Sequence, residues 1–278
     1  MTARPGKQPR DLFTSVAADY RRHRPGIPAE PVALLADVVN EVERPVLLDL
    51  GTGTGQVPAA LLPAVPRIAR VDLVDSDPGM LREAAAALAP LLGDRPAAFH
   101  PVRAQDFTPP YEGYRADLIT CARAFHWMPR PKVLAMADRV AAPGATVSIM
   151  GDGSLWTYTA PWAAELKRLI QSYLGADRRA GTTGVYSGPK RSYEDDLAES
   201  AFSDITKHPF PLRRTWTPDG VVAYLRSTSF ARADLFKDRH PQFEAEALAL
   251  LKQHATDGGL IEDAVFEVLL ARRPGGAP

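Results

Sequence analysis

The sequence predicts an α/β fold, a doubly wound and mostly parallel sheet with a helical cover inserted before its last two strands. Three observations carry this reading. Apolar strand-like runs alternate with helical segments from about residue 30 to 151, the run at 45–50 ends in a glycine-rich turn, and the alternation stops after residue 153.

Composition sets the bounds. A chain of 278 residues with 45% hydrophobic content can bury one α/β core with a substantial appendage, and does not call for two equal domains. Lys plus Arg and Asp plus Glu both number 33, so no net field draws the chain to nucleic acid or to an anionic membrane. Cys121 is the single cysteine, which excludes an intrachain disulfide, and no apolar run approaches the roughly 20 residues of a membrane span. The expectation is a cytoplasmic protein with a loose basic N-terminal tail. Its oligomeric state leaves no mark on the sequence.

The elements follow in order. Residues 11–20 read as a short helix, broken by the Pro- and Gly-rich stretch 23–31 before a second helix at 30–42. Residues 45–50 form a continuous apolar run, the pattern of a strand buried on both faces of a parallel sheet. Further strands are predicted at 70–75, 98–104, 116–122 and 145–151, with helices at 80–92 and 131–140 between them. Beyond residue 153 come a helix at 161–174, a Gly- and Arg-rich loop at 175–193 and a strand at 202–212. Helices at 216–227 and 243–254 and a final strand at 264–272 follow, with a disordered end after residue 273. Four parts are expected: a tail and first helix to residue 29, a core at 30–153, a cover at 154–260 that includes the strand 202–212, and a closing strand and tail at 261–278.

The sharpest motif is Leu47-Leu48-Asp49-Leu50-Gly51-Thr52-Gly53-Thr54-Gly55-Gln56, a strand entering GxGxG at the start of a helix. Glycines there let the backbone turn tightly and approach a ligand closely, at the edge where Rossmann-like sheets bind nucleotides. Asp75 ends the next strand, where a carboxylate can accept from both hydroxyls of a ribose or can simply cap a helix. A dinucleotide fingerprint needs glycine at position 56, where this chain has Gln56, and the GK[ST] of a phosphate-cradling loop is absent. An adenosyl ligand without a diphosphate remains.

With Asp75-Ser76-Asp77-Pro78-Gly79-Met80-Leu81 and Arg139-Val140-Ala141-Ala142-Pro143-Gly144, that motif resembles the set found in class I methyltransferases dependent on S-adenosylmethionine (SAM). Tyr20 to Pro28 and Ala124-Phe125-His126-Trp127 are similar to the subgroup containing trans-aconitate, ubiquinone-type and natural-product methyltransferases. The resemblance implies that Gly51, Gly53 and Gly55 line the methionine half of SAM, with Asp49 near its ammonium and Thr52 and Gln56 also among the cofactor-binding residues. It places Asp75 and Ser76 at the ribose and Met80, Ala104 and Gln105 beside the adenine. A preceding Asp common in relatives is Arg103 here, with Asp106 as a candidate substitute. Tyr20 is implied in a lid over the sulfonium, where its ring favours the cation, or is an ordinary helix-face anchor.

Arg123 stands where many relatives have Gln or Asn, at the end of the fourth strand. It is a candidate for the cofactor site and for binding a substrate carboxylate bidentately, or it is a buried ion-pair partner. His126 is the candidate general base by type and place, or it shapes the pocket. Trp127, Trp156 and Tyr186 are expected on the acceptor side, with packing the alternative for Trp127. The basic and aromatic loop from Arg178 to Tyr193 is a lid or a solvated surface. Cys121 reads as a buried small hydrophobe, and no spacing suggests metal ligands.

The resemblance implies methyl transfer to an O or N atom of a small molecule, with S-adenosylhomocysteine (SAH) as product and secondary metabolism as the setting. Two other readings keep the same fold: a non-methylating reaction such as cyclisation or elimination, and a non-catalytic SAM-binding subunit.

Overall fold

The computed structural model describes residues 17–180, 184–185 and 191–275. It divides into two compact units. The sheet unit comprises Gly26–Asp152, Pro189–Phe210 and Phe266–Pro278, and the helical unit comprises Met1–Pro25, Gly153–Gly188 and Pro211–Val265.

Seven strands form one sheet: β1 (Val46–Leu50), β2 (Arg70–Val74), β3 (Ala97–His100), β4 (Ala116–Ala122), β5 (Ala141–Asp152), β8 (Asp204–Trp216) and β9 (Leu260–Arg272). Two-residue strands β6 (Arg179–Ala180) and β7 (Gly184–Val185) pair separately. The order across the large sheet is β3-β2-β1-β4-β5-β9-β8. β1 pairs in parallel with β2 and β4, β2 with β3 and β4 with β5, whereas β9 runs antiparallel to β5. Strand order reverses between β1 and β4, so the crevice beyond the carboxyl ends of those strands is where such a sheet receives a ligand.

Leu47, Leu48, Leu50, Val71, Leu73, Val74, Leu118 and Ile119 are all buried, which explains why the central strands read as continuous apolar runs. β8 is an edge strand, and its Pro209 and Pro211 belong there because a proline cannot donate to a ladder.

Helices α2 (Ala29–Val38), α3 (Gln56–Ala64), α4 (Pro78–Leu92), α5 (Arg130–Val140) and α7 (Tyr193–Ala198) belong to the sheet unit. The entry to α4 is fixed by Asp77, whose carboxylate accepts from the amides of Gly79 at 2.7 Å and Met80 at 3.3 Å, with Pro78 at the first helical position.

The helical unit holds α1 (Ala17–His23), α6 (Pro161–Leu174), α8 (Pro218–Arg226), α9 (Ala233–Phe236) and α10 (His240–His254). Its core is aromatic, with Phe236 and Phe243 stacked at 4.0 Å between ring centroids. Among the described residues, no helix is long and apolar enough to cross a membrane.

The differences from expectation have physical causes. β9 begins at Leu260 instead of 264, because its inward position 262 is a glutamate. That carboxylate is buried and satisfied by the indole of Trp216 at 2.6 Å and by Arg214 at 3.1 Å. The short helix α7 lies where the sequence predicts a loop to residue 193 and no element before 202. A reciprocal cap starts it, in which Ser192 Oγ accepts from the Asp195 amide and the Asp195 carboxylate accepts from the Ser192 amide. β3 stops at His100, where 98–104 was expected, and residues 104–106 form a 3-10 turn. The second helix ends at Val38, not residue 42. Of the helix expected at 11–20, residues 11–16 lie outside the described residues, and α1 continues to His23. In sequence the helical insertion lies on both sides of β8, with α6 before it and α8 to α10 between β8 and β9.

Candidate cofactor site at the carboxyl ends of the central strands

The loop after β1 is held to the end of β2 by three backbone donors. The amides of Gly51 and Thr52 give hydrogen bonds to the Val74 carbonyl at 2.8 and 3.0 Å, and the Gly53 amide gives one to Asp75 Oδ2 at 2.9 Å. Gly51, Gly53 and Gly55 all lie at positive φ, at 65°, 55° and 80°.

Their surroundings separate their roles. A Cβ on Gly51 would sit 2.5 Å from Ala124 Cβ and 2.8 Å from Met128 Cε, so this glycine lets the loop pass the segment after β4. A Cβ on Gly55 would press on Leu88 and Ala84 of α4 at 3.1 to 3.3 Å, so this one seats the loop on a helix. A Cβ on Gly53 would meet nothing within 4 Å. It borders open space.

Asp75 is half-buried and accepts two backbone hydrogen bonds, Oδ2 from Gly53 and Oδ1 from the Asp77 amide at 2.9 Å. Each oxygen keeps a second lone pair for another donor. Burial raises its pKa, against the lowering effect of these amides. The helix-capping role that the sequence left open for Asp75 belongs to Asp77. Ser76 is half-buried, and Met80 and Ala104 are buried. Gln105 is half-buried, while the exposed Asp106 carboxylate is paired with Arg103 at 2.7 Å.

Asp49 lies deeper, 1% exposed at the end of β1. Its Oδ1 accepts from the Thr120 hydroxyl at 2.6 Å, and among the described residues its Oδ2 is buried with no hydrogen-bond partner, as are the hydroxyls of Thr52 and Thr54. Burial pushes its pKa up to about 6. The Thr120 hydroxyl opposes that rise, the Thr52 hydroxyl nearby opposes it more weakly, and the charge of Asp75 adds to it.

Arg123 follows β4 in a left-handed conformation, φ 55°, which for a residue with a side chain costs on the order of 1–3 kcal/mol. The surroundings hold it there. Its Nε and Nη2 form a bidentate pair with Asp152 at 2.6 and 3.1 Å, Nη1 donates to Gln56 Oε1 at 3.0 Å, and Nη2 reaches the Gly26 carbonyl at 3.4 Å. Both charged side chains are nearly buried, at 10% and 5% exposure. Of the two alternatives for Arg123, the geometry is that of the buried ion pair. Asp152 was missed because it lies 29 positions away, and nothing local in the sequence links the two.

His126 and Trp127 are exposed on the turn after β4, with ring centroids 5.0 Å apart. Buried Phe125 anchors that turn edge-on to Tyr193 at 5.3 Å, while the Arg130 guanidinium covers the Tyr193 ring at 4.8 Å and pairs with Asp196 at 2.6 Å. These anchors were not predicted. The capping box at Ser192 was the available signal for α7, which carries two of them.

Tyr20 and Trp156 belong to the helical unit. The Arg24 guanidinium lies over the Tyr20 ring at 4.8 Å and donates to Ser227, and Trp156 packs against Phe230 at 4.8 Å with Arg178 over its ring at 5.6 Å. Tyr186 lies outside the described residues.

The family model for a methyltransferase domain matches residues 47–144, the span that carries the glycine loop, Asp75 and the turn after β4. An uncharacterized methyltransferase-like protein of Schizosaccharomyces pombe is 25% identical over 221 residues, 78% of this chain and 77% of its own length. Both matches are to methyltransferases. The fold has solved counterparts. One, from Anaeromyxobacter dehalogenans and provisionally assigned as a type II methyltransferase, is 22% identical over 90% of this chain and 97% of its own, with a TM-score of 0.62. Another, a SAM-dependent methyltransferase from Geobacter sulfurreducens in complex with SAH, is 16% identical over 93% and 97%, with a TM-score of 0.51.

Gly51 and Gly53 should respond differently to substitution in the ligand-free protein. Gly53→Ala incurs only the left-handed backbone cost, about 1–2 kcal/mol. Gly51→Ala adds a clash with Ala124 and Met128 and is expected to lose about 3 kcal/mol or more in total. Urea denaturation of both variants checks this, and equal losses would contradict the assigned roles.

Proposed function

We propose that the chain transfers the methyl group of SAM to an oxygen or nitrogen atom of a small molecule, releasing SAH, in secondary metabolism. The observation that carries the reading is Asp75, locked by two backbone amides with one acceptor site left on each oxygen. That is the pattern a pair of vicinal ribose hydroxyls requires. Gly53 leaves room for a ligand to lie against the backbone, and the unpartnered Asp49 Oδ2 is a buried anion suited to an ammonium group.

In this reading Gly51, Thr52, Gly53, Gly55 and Gln56 line the methionine portion, Ser76 adjoins the ribose, and Met80, Ala104 and Gln105 adjoin the adenine. SAM supplies a methyl group already activated on a sulfonium, so the protein's contribution is chiefly alignment of an in-line displacement. Positioning of this kind is worth roughly 7 to 11 kcal/mol in favourable cases. His126 takes the acceptor's proton, and Trp127 contacts the acceptor. Arg123 acts through Gln56 at the start of α3 and not on a substrate carboxylate. A balanced charge and a lone buried cysteine suit a cytoplasmic enzyme whose substrate is not nucleic acid. The direct test is incubation with SAM and a panel of hydroxyl and amine acceptors, with SAH followed by mass spectrometry. SAH formation dependent on an acceptor supports the reading, and tight SAM binding without turnover on any acceptor counts against methyl transfer.

Replacing Asp75 with Ala removes charge-assisted hydrogen bonds of roughly 1.5 to 3 kcal/mol, so SAM affinity measured by calorimetry should fall tenfold or more. A loss below about twofold would take the ribose away from Asp75.

For His126 as general base, His126→Ala should lower kcat by roughly 10² to 10⁴ with SAM affinity intact, and His126→Gln should be equally impaired because it cannot take a proton near neutral pH. A Gln variant with near-normal turnover would remove the base role. A loss confined to acceptor KM would leave His126 as a wall of the pocket.

A further inference from the structure

Three residues with polar side chains sit in one row across the middle of the sheet. Asp49 of β1 is in register with Thr120 of β4, and Thr120 with Ser148 of β5. In-register neighbours on parallel strands share a face. All three are buried, at 1%, 0% and 0% exposure, and the flanking residues Ile119, Cys121, Val147 and Ile149 are apolar and buried. A valine would fill the place of Thr120 with nearly the same volume, so packing gives no reason for a hydroxyl there. The reason is Asp49. Thr120 Oγ1 donates to its Oδ1 at 2.6 Å, while Oδ2 is left unpartnered.

We propose that Thr120 is a positioning residue for the cationic end of the cofactor, fixing the rotamer and the charge of Asp49 so that Oδ2 is held ready for an ammonium donor. The inference rests on the SAM reading above. Among the described residues, the groups that act on Asp49 are the hydroxyls of Thr120 and Thr52 and the carboxylate of Asp75, none of them a cation. Asp75 beyond β2 adds negative charge, the Cys121 thiol beside Thr120 is pushed up by burial and by Asp49 and stays protonated, and the loop offers the hydroxyls of Thr52 and Thr54. With burial opposing its ionisation, Asp49 is helped to remain an anion in the absence of ligand by the Thr120 hydroxyl and, less strongly, by that of Thr52.

The sign of the effect follows. A hydrogen bond donated to a carboxylate favours the charged form, so its removal raises the pH at which Asp49 ionises. An ammonium binds the ionised form, so its affinity must decline as pH falls through that midpoint, about 6 in the wild-type chain. Thr120→Val should move the decline to higher pH, while Thr120→Ser keeps the donor and should restore the wild-type profile.

The experiment uses the full chain in two readouts. The first is carbon-13 NMR titration of the Asp49 carboxyl in the absence of ligand, assigned with Asp49→Asn. The second is calorimetry of SAH binding from about pH 5.5 to 8.5, a range that brackets the raised Asp49 midpoint and lies above the ordinary carboxylate values. Thr120→Val is expected to raise the NMR midpoint by about one pH unit or more, and to weaken SAH roughly tenfold near pH 6 with convergence on wild type at the alkaline end. An unchanged midpoint in Thr120→Val would overturn the proposal, as would an SAH loss equal at every pH or one that Thr120→Ser shares. If the wild-type chain binds no SAH at any pH, the cofactor reading fails, while the NMR midpoints still decide whether Thr120 governs Asp49.

Discussion

The carboxylate of Asp75 ties together two pieces of backbone that the fold must keep apart from water and open to a ligand. One oxygen takes the Gly53 amide from the loop after β1, and the other takes the Asp77 amide at the start of α4. Asp77 then turns the chain into α4 by accepting from Gly79 and Met80, and α4 presents Ala84 and Leu88 to Gly55. Loop, strand end and helix form a closed circuit around one anion. Gly53, which donates to this carboxylate, is also the glycine of the loop beside which a Cβ meets no described atom within 4 Å, and the proposed binding site rests on that combination.

A second circuit supports the first from the other side of the switch point. Arg123 occupies a strained conformation that persists because Asp152, Gln56 and the Gly26 carbonyl together take up its guanidinium. Strain of this kind is tolerated where the surroundings over-determine a residue, and it concentrates at functional sites. The consequence is that the first residue of α3, immediately after the glycine loop, is fastened to the ends of β4 and β5. Removing one member of so buried a pair would leave the other charge stranded, which accounts for an ion pair in a place where apolar packing would be cheaper.

The sequence announced the sheet because its central strands are buried on both faces, and such strands are written as apolar runs such as 45–50, interrupted there only by Asp49. Elements that mix burial with charge were harder to read. The first residues of β9 carry Glu262 on their inward face, and α7 lies behind a capping box inside a stretch dominated by Gly and Arg. In the site, the glycine loop and Asp75 were readable because their spacing is local. Thr120, Asp152, Tyr193 and Asp196 were not, since each acts on a partner at least 29 positions away. Two carboxylates so close to the start of α4 also left the cap ambiguous until the hydrogen bonds assigned it to Asp77.

The account stands on the claim that the anions at the ends of β1 and β2 hold the ammonium and the ribose of one adenosyl ligand. A crystal structure of the full chain grown with SAH tests it most directly. The account predicts both ribose hydroxyls on Asp75, the amino group against Asp49 Oδ2 and the thioether chain passing over Gly53. SAH density elsewhere on the chain, or with the ribose away from Asp75, would contradict it.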